Sequence, residues 1–158
     1  MSNYRYISPN EFVTLIDANR CNYFVVDCRG DDRDDGYING AAVIASNTDG
    51  REVYETLLQR VLQQMQERNE KLKETNNNNI NIDPFHVIFH CALSQVRGPK
   101  GAGRFAAVLQ DAKLNNNNNN NETLGIVLNA IQVEVLRGGW ENFLSIYHQS
   151  RPDLYTIA

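Results

Sequence analysis

The stretch from Pro84 to Ala107 constrains this chain more than any other. Phe85 to Phe89 is a run of aromatic and β-branched residues, which favours a strand. The run breaks at Cys91. Pro99 suits the first turn of a helix, where its missing N–H would have no partner anyway. Phe105, Val108 and Leu109 follow at helical spacing. The pattern predicts a strand, a short loop and a helix, with Cys91 at the strand end and Arg97 at the loop end. A loop that curls into a helix N-terminus aims its backbone N–H groups at one spot, and successive N–H groups form a concave nest for an oxyanion. The residues of that nest are Ala92, Leu93, Ser94, Gln95, Val96 and Arg97. Arg97 adds a planar, two-pronged grip that lysine cannot copy. Cys91 lies at the floor, where the helix terminus and Arg97 both favour thiolate over thiol. A thiolate facing a bound oxyanion is placed to attack it. The plainer alternative is a buried structural cysteine before an ordinary turn. The joint spacing of His90, Cys91, Arg97, Gly98 and Pro99 argues against it.

The flanking sequence alternates in kind. Ser8-Pro9-Asn10-Glu11 is a helix start, with Ser8 as N-cap and Glu11 closing a capping box. Phe12, Leu15 and Ile16 form its apolar face, and the helix is expected to end near Asn19. Tyr23 to Val26 reads as a short buried strand ended by Asp27-Cys28-Arg29-Gly30. Asp31 to Gly36 is too acidic for a core and reads as a loop; Ala42 to Ala45 suggests a second short strand. From Arg51 to Glu74, Val53, Leu57, Val61 and Met65 recur every four residues, which predicts a helix packed on the sheet. Its polar end, from Gln66 to Thr75, is expected to run out into solvent. Asparagine runs at 76–79 and 115–121 offer no core-forming side chains and are expected to be disordered surface loops at joints between elements. Leu124 to Leu128 reads as a short helix or the edge of one. Ile131 to Leu136 reads as a strand, and Glu141 to Tyr147 as a helix after Arg137-Gly138-Gly139-Trp140. Strands separated by helices imply an α/β fold, with a central parallel sheet flanked by helices on both faces, in one domain over residues 1–158. Ligands in such sheets bind beyond the carboxyl ends of the strands, where Asp27, Cys91 and Arg137 are all expected.

Composition excludes several function classes. A hydrophobic fraction of 42% and a charged fraction of 22% suit a soluble globular chain. A net charge of −4 gives no broad basic footprint for nucleic acid. No apolar run approaches membrane-spanning length, and the polar start Met1-Ser2-Asn3-Tyr4-Arg5 does not read as a secretory leader. Three cysteines, Cys21, Cys28 and Cys91, make no disulfide framework and fit a reducing compartment. The expected location is the cytoplasm, with the nucleus open as a second one. Neither Cys21 nor Cys28 has a close Cys or His partner in the sequence, so no metal site is expected.

His90-Cys91, five residues, then Arg97 resembles the signature of cysteine-dependent phosphatases. The fuller pattern, through Ser94 and Arg97-Gly98-Pro99, is similar to their rhodanese-fold branch, which holds the cell division cycle 25 phosphatases and the eukaryotic arsenate reductases. Lys100-Gly101-Ala102 to Arg104-Phe105 looks most like the small, stand-alone arsenate-reductase-type members. Asp27-Cys28-Arg29 and Tyr37-Ile38-Asn39-Gly40-Ala41 match the branch as well, with Tyr37 in place of its usual His. The resemblance implies a rhodanese-like domain with Cys91 as nucleophile and Arg97 as oxyanion clamp. His90, Asp27 and Arg29 would act as orienting or structural groups, and Cys28 as a thiol able to resolve an oxidised Cys91. It also implies a phosphoprotein or a small oxyanion as substrate. A phosphatase that cleaves phosphotyrosine or phosphothreonine through a Cys91 thiophosphate needs no cofactor, and arsenate could be reduced at the same site. A dedicated arsenate reductase would draw on glutathione or a glutaredoxin. Ala92 stands where the mitotic phosphatases carry Glu, so the nest lacks their general acid. A non-catalytic rhodanese-like module binding phosphoproteins is the third reading, against which intact Cys91 and Arg97 speak.

Overall fold

The computed structural model describes residues 3–45, 50–74 and 83–157. In chain order the elements are β1 (Arg5–Ile7), α1 (Pro9–Asp17), β2 (Tyr23–Asp27), β3 (Tyr37–Ile38), β4 (Ala42–Val43), α2 (Arg51–Glu74), β5 (Phe85–His90), α3 (Arg97–Asn119), α4 (Glu122–Ala130), β6 (Ile131–Leu136), α5 (Gly139–Tyr147) and β7 (Tyr155–Thr156). Short 3-10 turns lie at Asp31–Asp35 and Pro152–Leu154.

The apolar runs assemble into a five-stranded parallel sheet in the order β1-β6-β5-β2-β4. β5 takes the centre and is buried along its whole length, its two histidines included. Its register with β2 pairs Asp27 with His90, so the residues that follow both strands emerge together at one edge. Alternation sorts the side chains into two cores. Val26, Val87, Phe89, Val133 and Val135 pack with α2, α3 and α4. Val25, Ile88, Ile7 and Leu136 pack with Phe12 and Val13 of α1 and with Trp140 and Phe143 of α5. Helices thus cover both faces, as the α/β reading requires. Ser8 caps α1 as expected: its side chain accepts the Glu11 N–H while the Glu11 carboxylate accepts the Ser8 N–H.

Three features depart from the sequence reading. Strand β1 lies on the sheet edge beside β6, and β3 pairs antiparallel with β7 in a separate two-stranded ribbon. Strands of two or three residues are too short to show a period. The polar end of α2 is not all in solvent: Arg68 is buried, its guanidinium 5.4 Å from the centre of the Phe85 ring. The run at 115–121 is not the disordered loop expected. Helix α3 continues through it to Asn119, and Asn116 is buried, its side-chain N–H donating to the Asn121 carbonyl at 3.0 Å. Asn120 ends the helix in the left-handed region, φ 52°, and Asn121 caps α4 by accepting the Leu124 N–H at 3.1 Å. Asparagine is a weak helix former but is among the best residues for both capping positions. The other run, 76–79, lies outside the described residues.

Asn121→Ala should therefore cost about 0.5–2 kcal/mol of stability in urea unfolding. An unchanged midpoint would show that the second tract does not cap α4.

Candidate active site

The loop from Cys91 to Val96 joins the end of β5 to the start of α3, as the spacing predicts. Gly98 in the first turn of α3 donates its N–H to Cys91 Sγ at 3.3 Å, so the sulfur lies under the helix N-terminus. Ser94 has φ 54°, a left-handed step of the kind that closes an anion nest. Its Oγ accepts the Cys91 N–H at 3.4 Å. None of the backbone N–H groups from Ala92 to Arg97 has an acceptor among the described residues, so they remain available to an oxyanion. Leu93 and Val96 stand exposed on the rim.

The loop's carbonyls are held from the other side. The first turn of α5 supplies the Trp140 N–H to the Cys91 carbonyl at 2.9 Å and the Glu141 N–H to the Ala92 carbonyl at 3.0 Å. This approach requires Gly139. Its φ is +64°, and a Cβ there would fall 2.5 Å from the Cys91 oxygen and 2.7 Å from that of Ala92. His90, fully buried, points Nδ1 at the Cys91 carbonyl at 3.2 Å. A carbonyl only accepts, so the ring proton is on Nδ1. Nε2 is then left without a hydrogen-bond partner, 4.0 Å from Asp27. Burial pushes the His90 imidazole below its ordinary range, although Asp27 opposes this. A neutral His90 holds the loop; it does not present a proton to a substrate.

Asp27 and Arg29, both buried, form an ion pair through two side-chain hydrogen bonds of 3.1 and 2.9 Å, and the Arg29 N–H adds a third at 3.0 Å. Arg29 also reaches the Gly36 carbonyl and Asp35, and lies over the Trp140 ring. Arg33 donates to Asp27 at 3.0 Å. Burial raises the Asp27 carboxyl, but the Arg29 hydrogen bonds and the nearby charges outweigh it and hold the group below the usual carboxylate range.

Cys28 follows Asp27 and donates its N–H to the His90 carbonyl at 2.7 Å. Its Sγ packs so tightly on α3 that a Cβ at Gly101 would come within 2.9 Å. Cys28 and Cys91 are both free thiols. Burial first, then the neighbouring Cys91, pushes the Cys28 thiol up to about 12, so in this conformation it is a poor attacking thiolate.

Asp32, which pairs with Arg97, escaped the sequence reading. Arg97 is joined to Asp32 by two parallel hydrogen bonds, Nη1 to Oδ1 at 2.8 Å and Nη2 to Oδ2 at 2.7 Å. Asp32 first, then Cys91, raises the guanidinium further above its ordinary value. Arg97 in turn holds the Asp32 carboxyl down at about 2. Asp32 lies in the acidic segment read only as a loop; a contact across 65 positions leaves no periodic trace. His86, also buried, donates from Nδ1 to the Glu134 carboxylate at 2.6 Å and is a satisfied structural group. Among the described residues no group of three or more His, Cys, Asp or Glu could hold a metal ion, and no helix is long and apolar enough to cross a membrane.

Asp27→Asn should cost about 3–5 kcal/mol, because it leaves buried Arg29 without its buried counter-charge and with only the half-exposed Asp35. A lowered folded-state pKa gives stability that is complete above the unfolded value and lost as pH falls through the folded one. Acid should therefore erode the stability of the unaltered protein below roughly pH 4, and less steeply that of the variant. Equal slopes in urea titrations at several pH values would contradict this role.

No family model and no curated protein matches the chain. Solved structures do. The As–Sb reductase from Leishmania major is 34% identical with a TM-score of 0.70, over 98% of this chain and 86% of that one. Ygr203w, a yeast protein tyrosine phosphatase of the rhodanese family, is 25% identical with a TM-score of 0.60, over 99% of this chain and 94% of that one. Another structure of Ygr203w, described as a homolog of single-domain rhodanese and of the Cdc25 phosphatase catalytic domain, superposes with a TM-score of 0.58 over 98% and 88%.

Proposed function

The chain belongs to the rhodanese-fold family of the Leishmania major As–Sb reductase, and on that premise we propose that it is a thiol-dependent arsenate reductase with Cys91 as nucleophile. One observation carries the reading. Cys91 Sγ lies under the N-terminus of α3, at the start of a loop whose N–H groups have no acceptor among the described residues and which ends at Arg97. That arrangement binds a tetrahedral oxyanion and stabilises charge as it develops on its oxygens.

In the first step the Cys91 thiolate attacks arsenic. A sulfur–arsenic bond forms, an arsenic–oxygen bond breaks, and the oxygen leaves as hydroxide, which solvent protonates. Two thiols, Cys91 and one from glutathione or a glutaredoxin, then supply two electrons. Pentavalent arsenic becomes trivalent, and the thiols become a disulfide. In sum, one arsenic acid and two thiols give one arsenous acid, one disulfide and one water. The small leaving group favours arsenate over a phosphoester. An alkoxide or phenoxide needs a proton donor, Ala92 is no acid, and Asp32 is ionised down to about pH 2.

Phosphatase activity on phosphotyrosine or phosphothreonine, through a Cys91 thiophosphate, is the second reading. The likeness to the yeast phosphatase favours it, as do the exposed apolar side chains of Leu93 and Val96 beside the nest. Both substrates would use the same loop, in the cytoplasm or nucleus.

Arsenite formation from arsenate, glutathione and glutaredoxin should depend wholly on Cys91, and Cys91→Ser should abolish it. Arg97→Ala should lower kcat/KM by about 10²–10³-fold, with Arg97→Lys recovering little. The same variants assayed on para-nitrophenyl phosphate measure the second reading. Without Cys91-dependent turnover in either assay, only a phosphoprotein-binding module would remain.

A further inference from the structure

We propose that Asp32 is the positioning residue for Arg97: it grips one edge of the guanidinium so that another edge faces the oxyanion held over Cys91. This inference rests on the oxyanion-binding reading of the loop.

A guanidinium carries five N–H donors in a rigid planar fork. Asp32 takes one from each terminal nitrogen, at 2.8 and 2.7 Å. That is the end-on edge. Nε–H and the remaining terminal N–H on its side form a second, parallel pair, spaced to suit two oxygens of a tetrahedral anion. Arg97 interacts with Cys91 at the same time as with Asp32. Asp32 holds the end-on edge of a guanidinium that lies near enough to Cys91 for the two to interact electrostatically.

Asp32 is itself anchored. Its Oδ1 accepts the Gly30 N–H at 3.1 Å, which locks the side chain across the start of the Asp31–Asp35 turn. The next residue, Arg33, is tied to buried Asp27. Asp35, at the end of the turn, accepts from Arg29 and from Trp140 Nε1 at 3.2 Å each. The turn thus transmits the rigidity of the buried ion pair to a side chain that would otherwise sample many rotamers. Both partners are partly exposed, 34% for Arg97 and 43% for Asp32, so the pair adds little to global stability. Its effect should appear in anion affinity and turnover instead.

Two other roles for the same carboxylate make opposite predictions. If Asp32 occupied Arg97 only until an anion displaced it, removing its charge would tighten anion binding. If it were a proton donor, removal would lower kcat and leave binding alone. The test is calorimetric titration of inorganic arsenate into Cys91→Ser protein, with Asp32 intact, as Asp32→Asn and as Asp32→Glu. Melting temperatures and arsenate-reductase kinetics are measured on the same Asp32 series carrying Cys91. Positioning predicts that Asp32→Asn weakens arsenate binding by about tenfold or more, raises KM and lowers kcat, while the melting temperature stays put. Asp32→Glu, which keeps the charge, should recover part of both. Equal or tighter arsenate binding by Asp32→Asn overturns the proposal, as does a fall in kcat with binding unchanged. If Cys91→Ser protein with Asp32 intact binds no arsenate, the oxyanion-site reading itself fails, and that result is distinct from a null effect of Asp32→Asn.

Discussion

The buried Asp27–Arg29 pair is the interaction on which the active end of the sheet depends. Two charges removed from water cost several kcal/mol each unless geometry and further hydrogen bonds compensate. Here Arg29, 1% exposed, is compensated on several sides, by Asp27, Asp35, the Gly36 carbonyl and the face of Trp140. Those partners come from the end of β2, from the turn after it and from the first turn of α5. One charge therefore joins the end of β2 and the turn after it to α5, which lies far along the sequence. From Trp140 the connection continues to the Cys91 carbonyl, and from the turn it continues through Asp32 to Arg97. The nucleophile and its clamp are both supported from the same buried point.

Helix termini complete the arrangement by dividing the loop's polar groups. Helix α5 spends its unpaired N–H groups on the carbonyls of Cys91 and Ala92, whereas α3 directs one at the sulfur. With its carbonyls held on one side, the loop is left with unpaired N–H groups for a ligand. Donors fixed before an anion arrives do not have to reorganise during reaction, which is where such sites gain their advantage over water.

Much of this was legible in the sequence, for physical reasons that differ by residue. Phe85 to Phe89 was legible as a strand because aromatic and β-branched side chains suit a buried one, whereas its central place is set by the fold. The Cys91 to Arg97 spacing declared the nest because only a short loop entering a helix gathers N–H groups so closely. Asp32 was hidden in an acidic segment whose composition says solvent; only the tertiary fold sets it opposite Arg97. Nothing in the run Arg137-Gly138-Gly139-Trp140 marks Gly139, although its lack of a side chain is what lets α5 touch the Cys91 loop. The run at 115–121 misled because composition describes what a segment lacks, not where its capping groups fall. Asn120 and Asn121 occupy the two positions where asparagine is among the best residues.

The most direct measurement is a crystal structure with vanadate, a mimic of the tetrahedral oxyanion under attack. The predicted result is vanadium bonded to Cys91 Sγ, its oxygens on the loop N–H groups and on the inner edge of Arg97, with Arg97 and Asp32 still joined. Vanadate bound away from Cys91, or an Arg97 side chain turned out of the nest, would contradict it.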